Sequence, residues 1–248
     1  SANEIILQDF SYQEQRYNKH YNGENIIARF NPDSEFQTII SAHWDTRAWA
    51  DQEDLRQDRD KPVIGANDGA SGVAILLELA RIMAENPPPI GVNLVFFDGE
   101  DQGVPGVNET YCQGSRFFAK NLPIPRPDEA INLDMVGDKQ LVLPIERYSL
   151  EYHPKLVRHL WDRAKDMGLD AFIGRVDYAI YDDHIPLNEI AGIPSIDLID
   201  FKYPNSYANF WHTLNDIPEN CSEESLGQVG DLMVDYIYNR EEQNRSEN

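Results

Sequence analysis

The sequence predicts an α/β fold, a three-layer sandwich in which helices flank a central twisted, mostly parallel mixed sheet. Short apolar runs rich in β-branched and aromatic residues alternate along the chain with helical patterns, which is typical of a parallel sheet covered on both faces. The run from Leu94 to Phe97 has no polar residue at alternate positions, as expected for a strand buried on both faces. A chain of 248 residues suits one such unit, so we expect a single domain over residues 1–248.

Each predicted element has its own signal along the chain. The turn sequence Asn31-Pro32-Asp33 separates the first two strands, and Pro87 to Pro89 ends the first helix because proline cannot continue one. The predicted strands cover residues 25–30, 36–43, 92–98, 130–136, 140–143 and 194–199. The predicted helices cover residues 73–83, 115–120, 153–167 and 226–238, followed by a polar tail at 239–248.

The charge balance and the cysteines narrow the class of protein. The chain carries 43 acidic and 21 basic residues, a formal charge of −22, which would repel nucleic acid and anionic membranes. No apolar stretch approaches the roughly 20 residues that span a bilayer, so we expect no membrane-spanning segment. Cys112 and Cys221 form no metal-ligand pattern, and they are either free thiols or one disulfide.

An acidic turn follows the strand predicted at 92–98, where Asp98-Gly99-Glu100-Asp101 places three carboxylates around one glycine. In parallel sheets, ligands gather beyond the carboxyl ends of the strands. Because adjacent side chains point in different directions, Glu100 and Asp101 can hold different roles, one on a metal and one in proton transfer. A solvated acidic turn is the alternative interpretation for this pair taken alone.

Further carboxylates and imidazoles fall at or just beyond predicted strand ends, which favours a functional role for the acidic pair. They are His43, Asp68, Asp134, the Asp182-Asp183-His184 cluster and His212. Since strand ends on one edge of a parallel sheet converge, these residues can form one site although they are far apart in sequence. Carboxylates with one or two imidazoles suit zinc. The sequence has no His-Glu-x-x-His helix, so a metal site must be assembled from dispersed ligands.

Five motifs, taken in order, carry a resemblance to a known family. They are His43-Trp44-Asp45, Gly65 to Val73, Phe96 to Asp101, Asn132-Leu133-Asp134 and Trp211-His212-Thr213. Together they resemble the motifs of the M28 zinc peptidase superfamily over nearly the whole chain, which implies a zinc exopeptidase-like fold. The segment from Tyr181 to Pro186 and the residue Trp211 resemble glutaminyl cyclases of the animal type more than two-zinc aminopeptidases. We therefore interpret the chain as a bacterial member of this type of cyclase.

The resemblance implies an activity and a set of site residues. Glutaminyl cyclases convert the N-terminal glutamine of peptides or proteins to pyroglutamate and release ammonia, and one zinc ion is the expected cofactor. The implied zinc ligands are Asp68, Asp101 and His212. The implied catalytic residues are Glu100 as the proton shuttle, with Asp134 and Asp182 in its hydrogen-bonded network. The implied substrate-binding residues are Asp182 near the substrate amide, Trp211 as an apolar wall and Tyr207 in the pocket.

The scaffold leaves two alternatives open. His43 and Asp134 match the ligands of a second zinc ion in M28 aminopeptidases, which hydrolyse N-terminal residues from peptides. Ligand identity alone therefore does not decide between one zinc ion and two. A binding module that has kept the fold and lost the chemistry is the other alternative, and an intact Glu100 argues against it.

Several features depart from the animal cyclases or go beyond the motifs. Asp101 stands where those enzymes have glutamate, which is one methylene longer. Cys112 and Cys221 flank Asp101 and His212 in the sequence, so a disulfide between them is compatible with an oxidising compartment. From the resemblance to bacterial members we expect a monomer that is periplasmic or exported. The helical segment that the family usually places ahead of the first strand is missing, which leaves open whether the chain is truncated at its N-terminus.

Overall fold

The computed structural model of the protein describes residues 1–16 and 18–246. Its strands are β1 (Glu4–Glu14), β2 (Lys19–Phe30), β3 (Gln37–His43), β4 (Gly91–Phe97), β5 (Glu129–Asp134), β6 (Leu143–Ile145), β7 (Phe172–Val176), β8 (Ser195–Ile199), β9 (Pro204–Asn205) and β10 (Ala208–Asn209). Its α-helices are α1 (Ala70–Glu85), α2 (Gln113–Lys120), α3 (Arg147–Tyr152), α4 (Pro154–Met167), α5 (His184–Pro186) and α6 (Glu223–Ser246).

The main sheet has six strands in the order β1-β2-β4-β3-β5-β8. β2 pairs antiparallel with β1 and β4, whereas β4, β3, β5 and β8 run parallel to one another. The register places His43 opposite Phe97 and Asp134 opposite Ile199, so these parallel strands end at the same edge. The predicted mostly parallel mixed sheet is confirmed, and its carboxyl edge carries the candidate residues.

Helices cover both faces of this sheet, which confirms the predicted three layers. Adjacent residues of β3 point to opposite faces, because side chains alternate along a strand. Ile40 belongs to the larger core cluster, together with Leu76 of α1 and residues of α4 and α6. Ile39 belongs to the second cluster, together with Phe118 of α2 and Leu187 of the segment after α5. The central strands are therefore buried on both sides, as the continuous apolar run of β4 predicts.

Several elements differ from the sequence prediction, and three differences have a clear structural reason. The strand predicted at 140–143 is wrong, because Asp138 forms a turn there: its side chain accepts the Gln140 N–H and its carbonyl accepts the Leu141 N–H, both at 3.0 Å. β6 starts only at Leu143. β1 was not predicted, since its alternating polar residues occupy an exposed sheet edge. α6 extends through most of the predicted polar tail to Ser246, and residues 247 and 248 lie outside the described residues.

The cysteine alternatives are settled in favour of free thiols. Cys112 is buried and Cys221 is half-buried, and neither forms a disulfide. The disulfide that the sequence allowed is therefore wrong for this structure. Within the described part of the chain, every helix is too short or too polar to cross a membrane.

Candidate metal centre

The candidate site lies at the carboxyl edge of the parallel strands. His43 ends β3 and Asp134 ends β5, while Glu100 and Asp101 follow β4 in the predicted acidic turn. Gly99 makes this turn with a φ of +67°, a left-handed conformation that glycine adopts without steric cost. Asp68 comes two residues before α1. Residues far apart in sequence are thus brought to one edge, as predicted.

Asp68, Asp101 and His212 form the first group of metal donors, with ligand atoms within 4.8 Å of one another. His212 Nε2 lies 2.8 Å from Asp101 Oδ1 and 3.6 Å from Asp68 Oδ2. All three residues are buried. Among the described residues, Asp68 Oδ2, Asp101 Oδ2 and His212 Nε2 have no hydrogen-bond partner. Since a buried polar atom without a partner costs about 1–3 kcal/mol, a cation that accepts nitrogen and oxygen ligands fits this group.

His43 and Asp134 form a second donor group with the same Asp68. His43 Nε2 lies 3.0 Å from Asp68 Oδ1 and 3.2 Å from Asp134 Oδ1. Asp68 therefore directs one carboxylate oxygen to each group. This arrangement has donors for two ions that share the Asp68 carboxylate, and it is equally compatible with one ion in the first group.

Arg47 and Asp51 support the first group from behind, although sequence analysis gave them no role. The His212 Nδ1 atom lies 3.3 Å from Asp51 Oδ1, and Arg47 Nη2 donates to Asp51 Oδ2 at 2.6 Å. Arg47 Nη1 also donates to the backbone carbonyl of Asp101 at 2.6 Å. Such contacts fix the orientation of metal ligands. The sequence signal was the Arg-x-x-x-Asp spacing shortly after the His43 motif.

Asp45 and Asp216 hold the backbone of the acidic donors. The Asp45 carboxylate accepts the N–H groups of Glu100 at 3.0 Å and Asp101 at 3.1 Å. The Asp216 carboxylate accepts the Asp68 N–H at 3.2 Å. Asp45 and Asp216 thus position the donors through main-chain N–H groups, and the carboxylate oxygens of Asp68 and Asp101 stay available to a ligand.

Glu100 and Asp182 form an acidic pair beside the donors, and both are buried. Their carboxylate oxygens and the Cys112 sulfur lie within 4.8 Å of one another. Asn132 Nδ2 donates to Asp182 Oδ2 at 3.1 Å and so fixes this carboxylate. Burial, aided by the charge of Asp182, raises the pKa of Glu100 well above its usual range. The surroundings of Glu100 therefore favour its neutral form more than those of an exposed glutamate do.

Asp134 has a similarly perturbed environment. Burial raises its pKa to about 7, against the hydrogen bond from His43, which favours the charged form. The charges of Asp182 and Asp68 act in the same direction as burial. This agrees with the expectation that clustered acids disfavour joint ionisation.

The predicted substrate-binding residues differ in their surroundings. Trp211 is half-buried and stacks on His212, with ring centroids 3.7 Å apart. Its indole also packs on Phe201 at 5.1 Å. Tyr207 is 99% exposed between β9 and β10. The indole of Trp211 therefore lies directly beside His212, and the roles of Trp211 as an apolar wall and of Tyr207 in the pocket stay predictions.

Known proteins resemble this chain in sequence and in structure. The model of peptidase family M28 matches residues 25–237. A solved glutaminyl cyclase from Tannerella forsythia is 34% identical, with a TM-score of 0.90 over 96% of this chain and 84% of that one. A solved leucine aminopeptidase precursor from Bacteroides thetaiotaomicron is 33% identical, with a TM-score of 0.88 over 95% of this chain and 83% of that one.

Curated relatives are more distant. A glutaminyl-peptide cyclotransferase from Boiga dendrophila is 26% identical over 246 residues, a match that covers 86% of this chain. The chain spans 64% of the length of that relative.

Proposed function

The chain belongs to peptidase family M28, and from this premise we propose that it is a zinc-dependent glutaminyl-peptide cyclotransferase. The observation that carries the proposal is the buried Glu100–Asp182 pair beside the donors Asp68, Asp101 and His212. Ring closure needs one carboxylate to move a proton and another to hold the amide that leaves. The similarity to solved glutaminyl cyclases supports the same activity.

Asp68, Asp101 and His212 are the proposed zinc ligands. When bound there, zinc would polarise the side-chain carbonyl of an N-terminal glutamine. The residues of this chain then have to bind the glutamine, bring its α-amine to the carbonyl carbon and exclude water. Because the attack is intramolecular, holding the substrate in attack geometry supplies much of the rate enhancement. Trp211 provides an apolar wall for the aliphatic part of the glutamine.

Glu100 is the proposed proton carrier. A bond forms between the α-amine nitrogen and the amide carbon, and the bond from that carbon to the amide nitrogen breaks. Glu100 takes the proton that the α-amine loses and delivers it to the amide nitrogen, which leaves as ammonia. Asp182 accepts a hydrogen bond from the amide nitrogen and keeps it directed to Glu100. Asp134 belongs to the same acidic network.

A two-zinc aminopeptidase is the second candidate function, and one observation favours it. Asp68 offers one oxygen to the His43–Asp134 group and the other to the Asp101–His212 group. The similarity to a leucine aminopeptidase precursor is also close. Two bound zinc ions and release of free amino acids from peptides would support this candidate. One bound ion and release of ammonia support the cyclotransferase.

Ammonia release from a peptide with N-terminal glutamine tests the proposal. The zinc-loaded protein is compared with Glu100→Gln, which keeps the size of the side chain and removes its charge. The same peptide acetylated at its N-terminus is the matched control, because its α-nitrogen is no longer a free amine. We expect the unaltered protein to release ammonia from the peptide with a free N-terminal glutamine. We expect no ammonia from the acetylated peptide, and none from either peptide with Glu100→Gln. Absence of ammonia from protein shown to contain zinc would reject the proposal.

Four wider predictions have their own tests. Peptides or proteins with N-terminal glutamine are the proposed partners, and a panel of such peptides measures the preference. Light scattering tests the monomeric state, and cell fractionation tests the periplasmic or exported location. Limited proteolysis tests whether residues 1–248 behave as a single catalytic domain.

A further inference from the structure

We propose that Cys112 is a positioning residue, whose thiol holds the Glu100 carboxylate in the orientation that proton transfer requires. Cys112 Sγ lies 3.3 Å from Glu100 Oε1, and the cysteine is fully buried. Within the described residues, this thiol is the side chain that hydrogen bonds to the Glu100 carboxylate. The proposal rests on the proposed role of Glu100 as proton carrier.

The backbone fixes the two residues against each other. The Cys112 N–H donates to the Glu100 carbonyl at 2.9 Å, and the Gln113 N–H donates to the Gly99 carbonyl at 3.1 Å. On its other side, the Glu100 N–H is held by Asp45. Two successive backbone N–H groups at the start of α2 thus hydrogen bond to the acidic turn. The backbones of Cys112 and Glu100 are therefore held against each other by main-chain hydrogen bonds.

Two further features indicate that this contact is tightly built. Cys112 has a φ of +57°, in the left-handed region that non-glycine residues seldom adopt. A Cβ atom added at Gly114 would lie 2.3 Å from the Asp98 carbonyl oxygen, so the start of α2 is pressed against the acidic turn. With this backbone conformation the Cys112 side chain faces Glu100, and the close packing at Gly114 holds the start of α2 against the acidic turn.

A thiol suits this position for a chemical reason. A proton carrier needs a fixed orientation in both its charged and its neutral state. A thiol is a weak donor, so it can orient the carboxylate without strongly favouring the charged form, as a backbone N–H or an arginine would. It occupies Oε1 and leaves the second oxygen of Glu100 for the substrate. The buried thiol itself stays protonated, because burial raises its pKa well above the usual range.

Steady-state kinetics of Cys112→Ala and Cys112→Ser test the proposal, with Cys221→Ala as the matched control. The alanine variant loses the donor and is expected to lower kcat by roughly two- to tenfold, the effect of losing a hydrogen bond of ordinary net strength. KM is expected to stay within about twofold, since uniform substrate binding is retained. The serine variant, which restores a donor, should recover most of kcat. Unchanged kcat in Cys112→Ala, or equal losses in the alanine and serine variants, would overturn the proposal.

An infrared measurement gives a result that does not depend on activity. The S–H stretching band of Cys112 is assigned as the band that remains in Cys221→Ala, and the Cys221 band of the unaltered protein is the internal reference. We expect the Cys112 band to shift to higher frequency in Glu100→Ala, where its acceptor is gone. An unshifted band would overturn the contact even if Cys112→Ala fails to fold. If the protein releases amino acids in place of ammonia, the cyclotransferase proposal fails, and the kinetic comparison is made with that activity.

Discussion

Replacing Arg47 by methionine is expected to weaken both the fold and the metal centre. The Arg47 guanidinium is 1% exposed, and it donates to the Asp51 carboxylate and to the carbonyls of Asp101 and Gly103. Methionine keeps an unbranched apolar chain and removes every one of these donors. Asp51 is then left as a half-buried charge without its arginine, so it orients the His212 imidazole less firmly.

The magnitude follows from the burial of Arg47 and from the hydrogen bonds that its partners lose. Removing one partner of a buried ion pair costs about 3–5 kcal/mol. For a chain of this length, each kcal/mol lowers Tm by about 2–4 °C, so we expect Tm to fall by about 6–20 °C. Because Asp51 and Arg47 orient the donors His212 and Asp101, zinc affinity should fall by about 10–100-fold.

The assay pairs thermal unfolding in a chelator with zinc titration against a competing chelator. Arg81→Met is the matched control, since Arg81 lies on the exposed side of α1 and pairs with Glu78 and Glu85 in solvent. Exposed pairs contribute at most about 1 kcal/mol, so this variant should unfold within about 4 °C of the unaltered protein and bind zinc normally. Equal effects of the two substitutions would refute the supporting role of Arg47.

Two other predictions concern buried groups away from the proton carrier. Burial raises the pKa of Asp200 to about 7, so the unfolded state binds fewer protons between pH 4 and 7, and the free energy of unfolding falls as pH rises. Between pH 4 and 7, the free energy of unfolding of Asp200→Asn should fall by about 2–4 kcal/mol less than that of the unaltered protein. Urea unfolding at several pH values measures both, and an identical dependence on pH in the two proteins would contradict this. A Cβ at Gly69 would lie 2.4 Å from the His43 carbonyl oxygen, so Gly69→Ala should destabilise by about 1–3 kcal/mol. Gly227→Ala in α6 meets open space and should stabilise by up to about 1 kcal/mol, and thermal unfolding that ranks the two glycine variants in reverse would refute the packing argument.

Local sequence patterns are sufficient to predict much of the fold. The apolar run from Leu94 to Phe97 predicts a strand buried on both faces, and β4 is such a strand. The acidic turn at its end predicts a site at the carboxyl edge, and the register of His43 with Phe97 shows why those ends converge. These inferences hold because burial and strand ends are properties of short segments.

Other features depend on contacts that sequence patterns do not contain. β1 alternates polar and apolar residues at an exposed edge, so its pairing with β2 decides its structure. Arg47 and Asp51 lie in a polar loop, and their burial becomes visible only when that loop folds behind His212. The sequence alone leaves Cys112 open to a disulfide, whereas in the structure its left-handed backbone conformation before α2 places its thiol against Glu100. In each case a distant element determines the environment of the residue.

The mass of the product formed from one peptide with N-terminal glutamine tests the central claim most directly. Zinc-loaded protein is incubated with the peptide, and the product is followed by mass spectrometry. A cyclotransferase gives a peptide of unchanged length that has lost one ammonia, and Glu100→Gln gives no such product. A peptide that lacks its N-terminal residue would contradict the account and identify an aminopeptidase.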